Sequence, residues 1–157
     1  MTVPTLWDRE TKTVVNNESS EIIRMLNSEF DEWGDTSLDI YPENLSDEID
    51  RNNDMVYPGP NNGVYQSGFA RTQEAYEEAV TRVFDTLDTM EGILSRQRYL
   101  AGAQTTEADW RAFATLVHFY QVSHSLFKCN KKRISDYCNL LNYSRELYQY
   151  PGIADTV

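Results

Sequence analysis

The chain has 157 residues, 40% apolar and 12% aromatic, enough for one good core or for one small and one larger unit. Its formal net charge of −11 excludes general binding to nucleic acid or an anionic membrane, since both need a positive footprint. No apolar run approaches the ~18 residues of a membrane span, and no charged-then-apolar leader opens the chain. Two cysteines, Cys129 and Cys138, without a paired framework read as cytosolic thiols. A cytoplasmic setting is therefore expected, and the sequons at Asn17, Asn44 and Asn142 read as chance matches.

Val3-Pro4-Thr5-Leu6-Trp7-Asp8 and Thr13-Val14-Val15-Asn16 are short β-rich runs on either side of the polar turn Arg9-Glu10-Thr11-Lys12. A proline at the head of the first run sits at a sheet edge or in a cis bond. A helix then opens on Glu18-Ser19, with Ile22, Ile23, Leu26 and Phe30 on one face, and ends by Gly34. The free N–H groups and positive dipole end of such a helix start suit a carboxylate, and Glu18 beside them suits an ammonium group. A ligand carrying both groups on one carbon fits, which means an amino acid or the γ-glutamyl end of glutathione. The plainer alternative is that Glu18-Ser19 does no more than cap the helix.

Residues 35–60 are acidic and punctuated by Pro42, Pro58, Gly59 and Pro60, which predicts a solvated linker with at most a short helix near Ser46–Asp54. Its carboxylates lack calcium-loop spacing. Asn61-Asn62-Gly63-Val64 reads as a tight turn. After it, Phe69, Tyr76, Val80, Val83, Phe84, Leu87 and Met90 recur at helical steps and predict one long helix over about 66–94. Thr106-Glu107-Ala108-Asp109 is a capping box, and the helix behind it is expected to bury Trp110, Phe113, Leu116, Val117 and Tyr120. Lys128, Lys131, Lys132 and Arg133 form a short basic cluster that reads as a solvated helix end or loop. His118 and His124 lack zinc-site spacing. A last helix over about 139–150 carries Leu140, Leu141, Tyr143, Leu147 and Tyr148 and stops at Pro151-Gly152. The expected fold is mainly α: a β-β-α piece, a linker and a helical bundle.

Asn61-Asn62-Gly63-Val64-Tyr65-Gln66-Ser67-Gly68-Phe69-Ala70-Arg71-Thr72-Gln73-Glu74-Ala75-Tyr76 resembles a signature of the glutathionyl-hydroquinone reductases, the Xi-class glutathione transferases. Further similar segments come in order: Gln97-Arg98-Tyr99-Leu100, Thr106 to Arg111, Phe127-Lys128-Cys129-Asn130, and Arg145 to Gln149 with Pro151-Gly152-Ile153-Ala154. The resemblance covers essentially the whole chain. It implies that residues 1–34 are the C-terminal half of a thioredoxin-like glutathione-binding domain, 35–60 a linker, and 61–157 an all-α glutathione transferase C-terminal domain. It implies a reaction in which a cysteine thiolate attacks the sulfur of a glutathionyl-hydroquinone, the hydroquinone leaves, and a second glutathione resolves the mixed disulfide. It further implies that Val3 offers its backbone to the cysteinyl part of glutathione, that Glu18 and Ser19 hold the γ-glutamyl end, and that the Tyr65 hydroxyl contacts the quinol oxygen. Glutathione is then a co-substrate, no metal takes part, and a homodimer is the default.

The family nucleophile precedes the stretch matching Val3-Pro4, and relatives continue beyond Asp155-Thr156-Val157. The chain is therefore expected to be an internal fragment without its nucleophile, inactive alone, and the alternative is a non-catalytic binding or assembly module. Cys129 lies in a non-catalytic segment of the family pattern, and Cys138 stands where relatives usually carry Pro. His118, Tyr120 and Ser123 replace the Arg, Asp and Tyr usual in relatives, which bears on the substrate pocket. A half thioredoxin-like piece is also expected to leave a sheet edge and an apolar helix face uncovered.

Overall fold

A computed structural model describes residues 3–157, apart from the side chain of Tyr120. It divides into two compact units between Glu43 and Asn44. In the first, strands β1 (Leu6–Asp8) and β2 (Thr13–Asn16) pair antiparallel, Trp7 opposite Val14 and Asp8 opposite Thr13, with an irregularity between Leu6 and Trp7. Asp8 builds the turn between them. Its carboxylate accepts from the N–H of Glu10 at 2.8 Å and from the Thr11 hydroxyl at 2.6 Å, while Lys12 takes a left-handed φ of 55°. The Val3–Pro4 peptide is cis.

Helix α1 (Ser19–Ser28) comes after β2, and none of its residues is buried. Leu26 and Phe30 are exposed, as are Trp7, Val14 and Val15 on the strands, so the apolar faces expected to lack a cover do lack one within this unit.

The second unit is helical and begins earlier than a solvated linker over 35–60 would allow. Helix α2 (Ser46–Val56) places Asp47 and Glu48 in its first turn, where they suit the dipole, and buries Ile49, Asn52, Asn53 and Val56. Its acidic residues are the solvent face of a packed helix. The Asn52 amide donates to the Leu100 carbonyl at 3.0 Å and the Asn53 amide to Glu107 Oε1 at 2.7 Å, which ties α2 to the chain about fifty residues on.

Asn61–Val64 is not a tight turn. A π-helical turn over Tyr57–Asn61 runs directly into α3 (Asn62–Gly68). Gly59 lets that turn approach the long helix that carries Thr86, since a Cβ there would lie 2.4 Å from Thr86 Oγ1. The predicted single helix over 66–94 is two helices. The break falls at Phe69–Thr72, and α4 (Gln73–Leu94) starts afresh with the Thr72 hydroxyl accepting the Ala75 N–H at 3.2 Å. Phe69, expected on the buried face, lies in the break and is exposed.

Val83, Phe84, Leu87 and Met90 of α4 are fully buried, each contributing about 1.5–3 kcal/mol of transfer free energy for a side chain of this size. They pack with Phe113 and Leu116 of α5 (Glu107–His118) and with Leu140, Tyr143 and Leu147 of α6 (Cys138–Tyr148). Trp110 and Val117 are only partly buried; the Tyr120 side chain lies outside the described residues. A π-helical turn over Phe119–His124 continues α5.

The capping box forms as the sequence predicts. The Asp109 carboxylate accepts from the Thr106 N–H at 2.8 Å and the Thr106 hydroxyl at 2.9 Å, and it also takes the Leu100 N–H and the Tyr143 hydroxyl, each at 2.8 Å. One side chain thus joins the 99–102 connection, the start of α5 and the middle of α6. The start of α6 is capped from another helix: Glu91 of α4 accepts the N–H groups of Asn139 at 2.9 Å and Leu140 at 2.8 Å.

Candidate functional site

In the first unit, β2 delivers the chain to α1 through Asn16, whose side chain organises the helix start. Asn16 Oδ1 accepts the Glu18 N–H at 2.7 Å, and its amide donates to Glu21 Oε2 at 2.5 Å. Glu18 occupies the N-cap position with an extended backbone, its carbonyl accepting from Glu21 and Ile22 N–H, yet its side chain makes no capping bond. The bland reading of Glu18-Ser19 as a cap therefore describes the Glu18 backbone only. The Glu18 carboxylate and the Ser19 hydroxyl are exposed and have no hydrogen-bond partner among the described residues. Val3 is exposed beside the cis bond. A helix N-terminus with a free hydroxyl and a free carboxylate is suited to an ammonium–carboxylate pair.

In the second unit, Tyr65 and Phe69 lie one turn apart, in the middle of α3 and just beyond its end, and are 52% and 72% exposed. Between them sits Phe127, 8% exposed, with ring centroids 5.2 Å from Tyr65 and 5.5 Å from Phe69 and tilts of 56° and 55°. Such tilted pairs are favourable aromatic geometry. Three rings so arranged form an apolar face edged by one phenol, which can take an aromatic ring and hydrogen-bond its oxygen. The family resemblance singles out Tyr65; the sequence reading misses the partnership with Phe69 and Phe127. Phe127 is 62 positions from Tyr65, so no local spacing marks the pair, and the spacing of Phe69 reads as that of a core face.

The two thiols differ in burial. Cys129 is fully buried, its Sγ contacts the Phe127 carbonyl at 3.8 Å, and burial pushes its pKa up, opposed in part by a hydrogen bond from Ser67. Cys138 is exposed at the first position of α6, where the Glu91 carboxylate already occupies the adjacent N–H groups. His118 is exposed and directs Nδ1 to the Ala114 carbonyl at 3.1 Å, whereas Ser123 is buried. Of the basic cluster, Lys132 pairs with Asp88 at 2.7 Å on the surface.

A separate cleft of about 430 Å³ lies between α5 and α6, walled by Phe113, Leu116, Val117, Leu141 and Tyr148 with Arg133 and Arg145 at its edge. None of the sequence-predicted site residues lines it. No helix among the described residues is long and apolar enough to cross a membrane.

Residues 73–146 match the family described as glutathione S-transferase, C-terminal domain. Over all 157 residues the chain is 54% identical to the glutathionyl-hydroquinone reductase YqjG of Escherichia coli, covering 48% of that protein. It is 52% identical to the glutathionyl-hydroquinone reductase PcpF of Sphingobium chlorophenolicum, covering 50% of it. The chain thus spans about half the length of the curated relatives it matches. The glutathione-bound structure of YqjG superposes with a TM-score of 0.96 over 99% of this chain and 51% of that one. The Xi glutathione S-transferase of Phanerochaete chrysosporium, 52% identical, superposes with a TM-score of 0.94 over 99% of this chain and 51% of that one.

Proposed function

Related along its whole length to glutathionyl-hydroquinone reductases of the Xi class of glutathione transferases, this chain is, we propose, the part of such a reductase that carries half of the glutathione site and the aromatic wall for the hydroquinone. The observation that carries this reading is the identity of 54% with a glutathionyl-hydroquinone reductase across every residue of the chain. The local geometry supports it. Glu18 and Ser19 present an unpartnered acid and hydroxyl at a helix start, suited to the γ-glutamyl ammonium and carboxylate. Val3, before the cis bond, offers backbone groups to the cysteinyl portion. Tyr65 presents a phenol beside two apolar rings, suited to a quinol oxygen and its ring.

The reaction breaks the carbon–sulfur bond of the conjugate and forms the sulfur–sulfur bond of glutathione disulfide. The ring carbon takes a proton, and a second glutathione supplies the other sulfur. The attacking thiolate comes from residues outside this chain, because Cys129 is buried and Cys138 sits against a capping carboxylate. The working protein is a cytoplasmic homodimeric oxidoreductase in this reading.

A second reading, a binding or assembly module without chemistry, is favoured by that same burial of Cys129. The separating experiment adds glutathionyl-menadiol and excess glutathione to the purified chain and monitors glutathione disulfide. No release above the protein-free control, together with glutathione binding that weakens in Ser19→Ala and Glu18→Gln, agrees with a half-site lacking its nucleophile. Turnover that survives loss of both cysteines would sink the thiolate mechanism for this chain. Unchanged glutathione affinity in both variants would remove the half-site.

A further inference from the structure

Tyr76 stands in the first turn of α4, and its hydroxyl donates to the Lys128 carbonyl at 2.7 Å. That carbonyl also accepts the Asn130 N–H at 2.9 Å, so the turn is closed by one internal bond and tied to α4 by the tyrosine. Lys128 has a φ of 60°, a left-handed conformation that a lysine keeps only where its surroundings fix it. On one side of Lys128 the Cys129 N–H is anchored to the Ser123 carbonyl at 2.9 Å. On the other side is Phe127, whose ring stands between Tyr65 and Phe69. Gly68 makes room for that ring, since a Cβ there would lie 2.2 Å from Phe127 Cδ1.

These contacts form one chain of dependence, from the Tyr76 hydroxyl to the Lys128 turn, to Phe127, to the two exposed rings. We propose that Tyr76 is a positioning residue for the aromatic face. By fixing the Lys128 turn it holds Phe127 as a wedge that sets the separation and tilt of Tyr65 and Phe69, and this makes the face selective for a flat aromatic ring over a puckered saturated ring of the same skeleton. The proposal rests on Tyr65 being a ring contact and adds what determines its selectivity. The Tyr76 bond lies at the surface, so removing one oxygen leaves the packing around Phe84, Leu87 and Met90 as it is and is felt at Phe127.

The test uses the whole chain with 1-naphthol and decahydro-1-naphthol as probes, and reads the ratio of their dissociation constants by calorimetric titration. The wild-type chain prefers the aromatic probe, and Tyr76→Phe cuts that preference about fivefold, the worth of one ordinary hydrogen bond. Phe69→Leu also lowers it. A Tyr76→Phe ratio equal to wild type, with Phe69→Leu lowered, would overturn the positioning role while leaving the ring site standing. A wild-type chain with no aromatic preference would overturn both. The ring proton shifts of Phe127 give a second readout: they move in Tyr76→Phe while the α5 and α6 amides stay in place, and unmoved Phe127 shifts would refute the proposal independently of any ligand.

Discussion

Replacing Asp109 by alanine removes the acceptor for four donors at once. The Thr106 hydroxyl can turn elsewhere, but the Leu100 N–H, the Thr106 N–H and the Tyr143 hydroxyl are buried and have this carboxylate at 2.8 Å in common. A buried donor left without a partner costs about 1–3 kcal/mol, so three of them total about 3–9 kcal/mol before relaxation. Burial pushes the Asp109 pKa up against those hydrogen bonds, and the desolvation that raises it is recovered when the carboxylate is removed, which places the net loss near the lower part of that range. About 4 kcal/mol is expected, well above the ~1 kcal/mol of an ordinary lost N-cap. Tyr143→Phe removes one donor and leaves the carboxylate three, so about 1–1.5 kcal/mol is expected there. Urea unfolding monitored by far-UV circular dichroism measures both, and each kcal/mol corresponds to about 3–5 °C in thermal midpoint for a domain of this size. An Asp109→Ala variant within about 1 kcal/mol of wild type, or no weaker than Tyr143→Phe, would refute the view of Asp109 as the acceptor that joins three segments.

Tyr99 is pushed up to about 12, first by burial and then by its hydrogen bond to Glu146, and Tyr143 and Tyr137 are raised chiefly by burial. A tyrosine with a raised folded pKa contributes stability that is complete below about pH 10 and is lost as pH rises through the folded value, because the unfolded chain ionises first. Absorbance at 295 nm should therefore show these tyrosines, among the ten in the chain, titrating only as helix is lost above about pH 10; all ten ionising reversibly near that pH with helix intact would contradict it. Ellman's reagent should find one fast thiol, Cys138, and a second only after denaturation, since Cys129 is fully buried. Two fast thiols in the native chain would be the contrary result. Gly68→Ala gains about 1 kcal/mol of helix propensity, but a Cβ at 2.2 Å from the Phe127 ring costs about 1–3 kcal/mol of overpacking. A net loss of up to about 2 kcal/mol is expected in urea, and a stabilised variant would mean Phe127 yields freely.

What the sequence made legible was local. The capping box at Thr106 and Asp109 could be read because its partners lie three residues apart, and the turn at Arg9-Glu10-Thr11-Lys12 because it is a polar run between two β-rich ones, although the Asp8 carboxylate that closes it was not singled out. The helix break at Phe69–Thr72 was hidden because Phe69 and Tyr76 continue the apolar spacing of α4 across it, while Thr72 caps without the acidic partner that marks a capping box. Asn61-Asn62-Gly63 carries strong turn chemistry, yet tertiary packing keeps it helical, the Thr115 hydroxyl bonding Asn61 Oδ1 at 2.8 Å. The acidity of α2 masked its burial, which depends on Leu100 and Glu107 far along the chain. Of the candidate site, Glu18 and Ser19 drew notice through their neighbours in sequence and Tyr65 through the resemblance, but Phe127 and the Tyr76–Lys128 tie join segments that no short window contains.

The cap that Glu91 places on α6 bears on how such a sequence can change over time. A helix whose first N–H groups are satisfied by its own preceding residue carries its start with it when the upstream loop grows or shrinks. Here the start of α6 is dictated by a side chain 48 positions earlier, on a helix whose own register is locked by Val83, Leu87 and Met90. Insertions and deletions at residues 131–133, beyond the buried Phe127 and Cys129, leave the meeting of Glu91 with Asn139 intact as long as the ends can still reach. One residue added to α4 between Met90 and Glu91 would rotate that carboxylate by about 100° around the helix axis, and the damage would be felt in a helix that had not been altered. Variation in length is thus permitted in that short surface stretch and barred in the helix that caps across it.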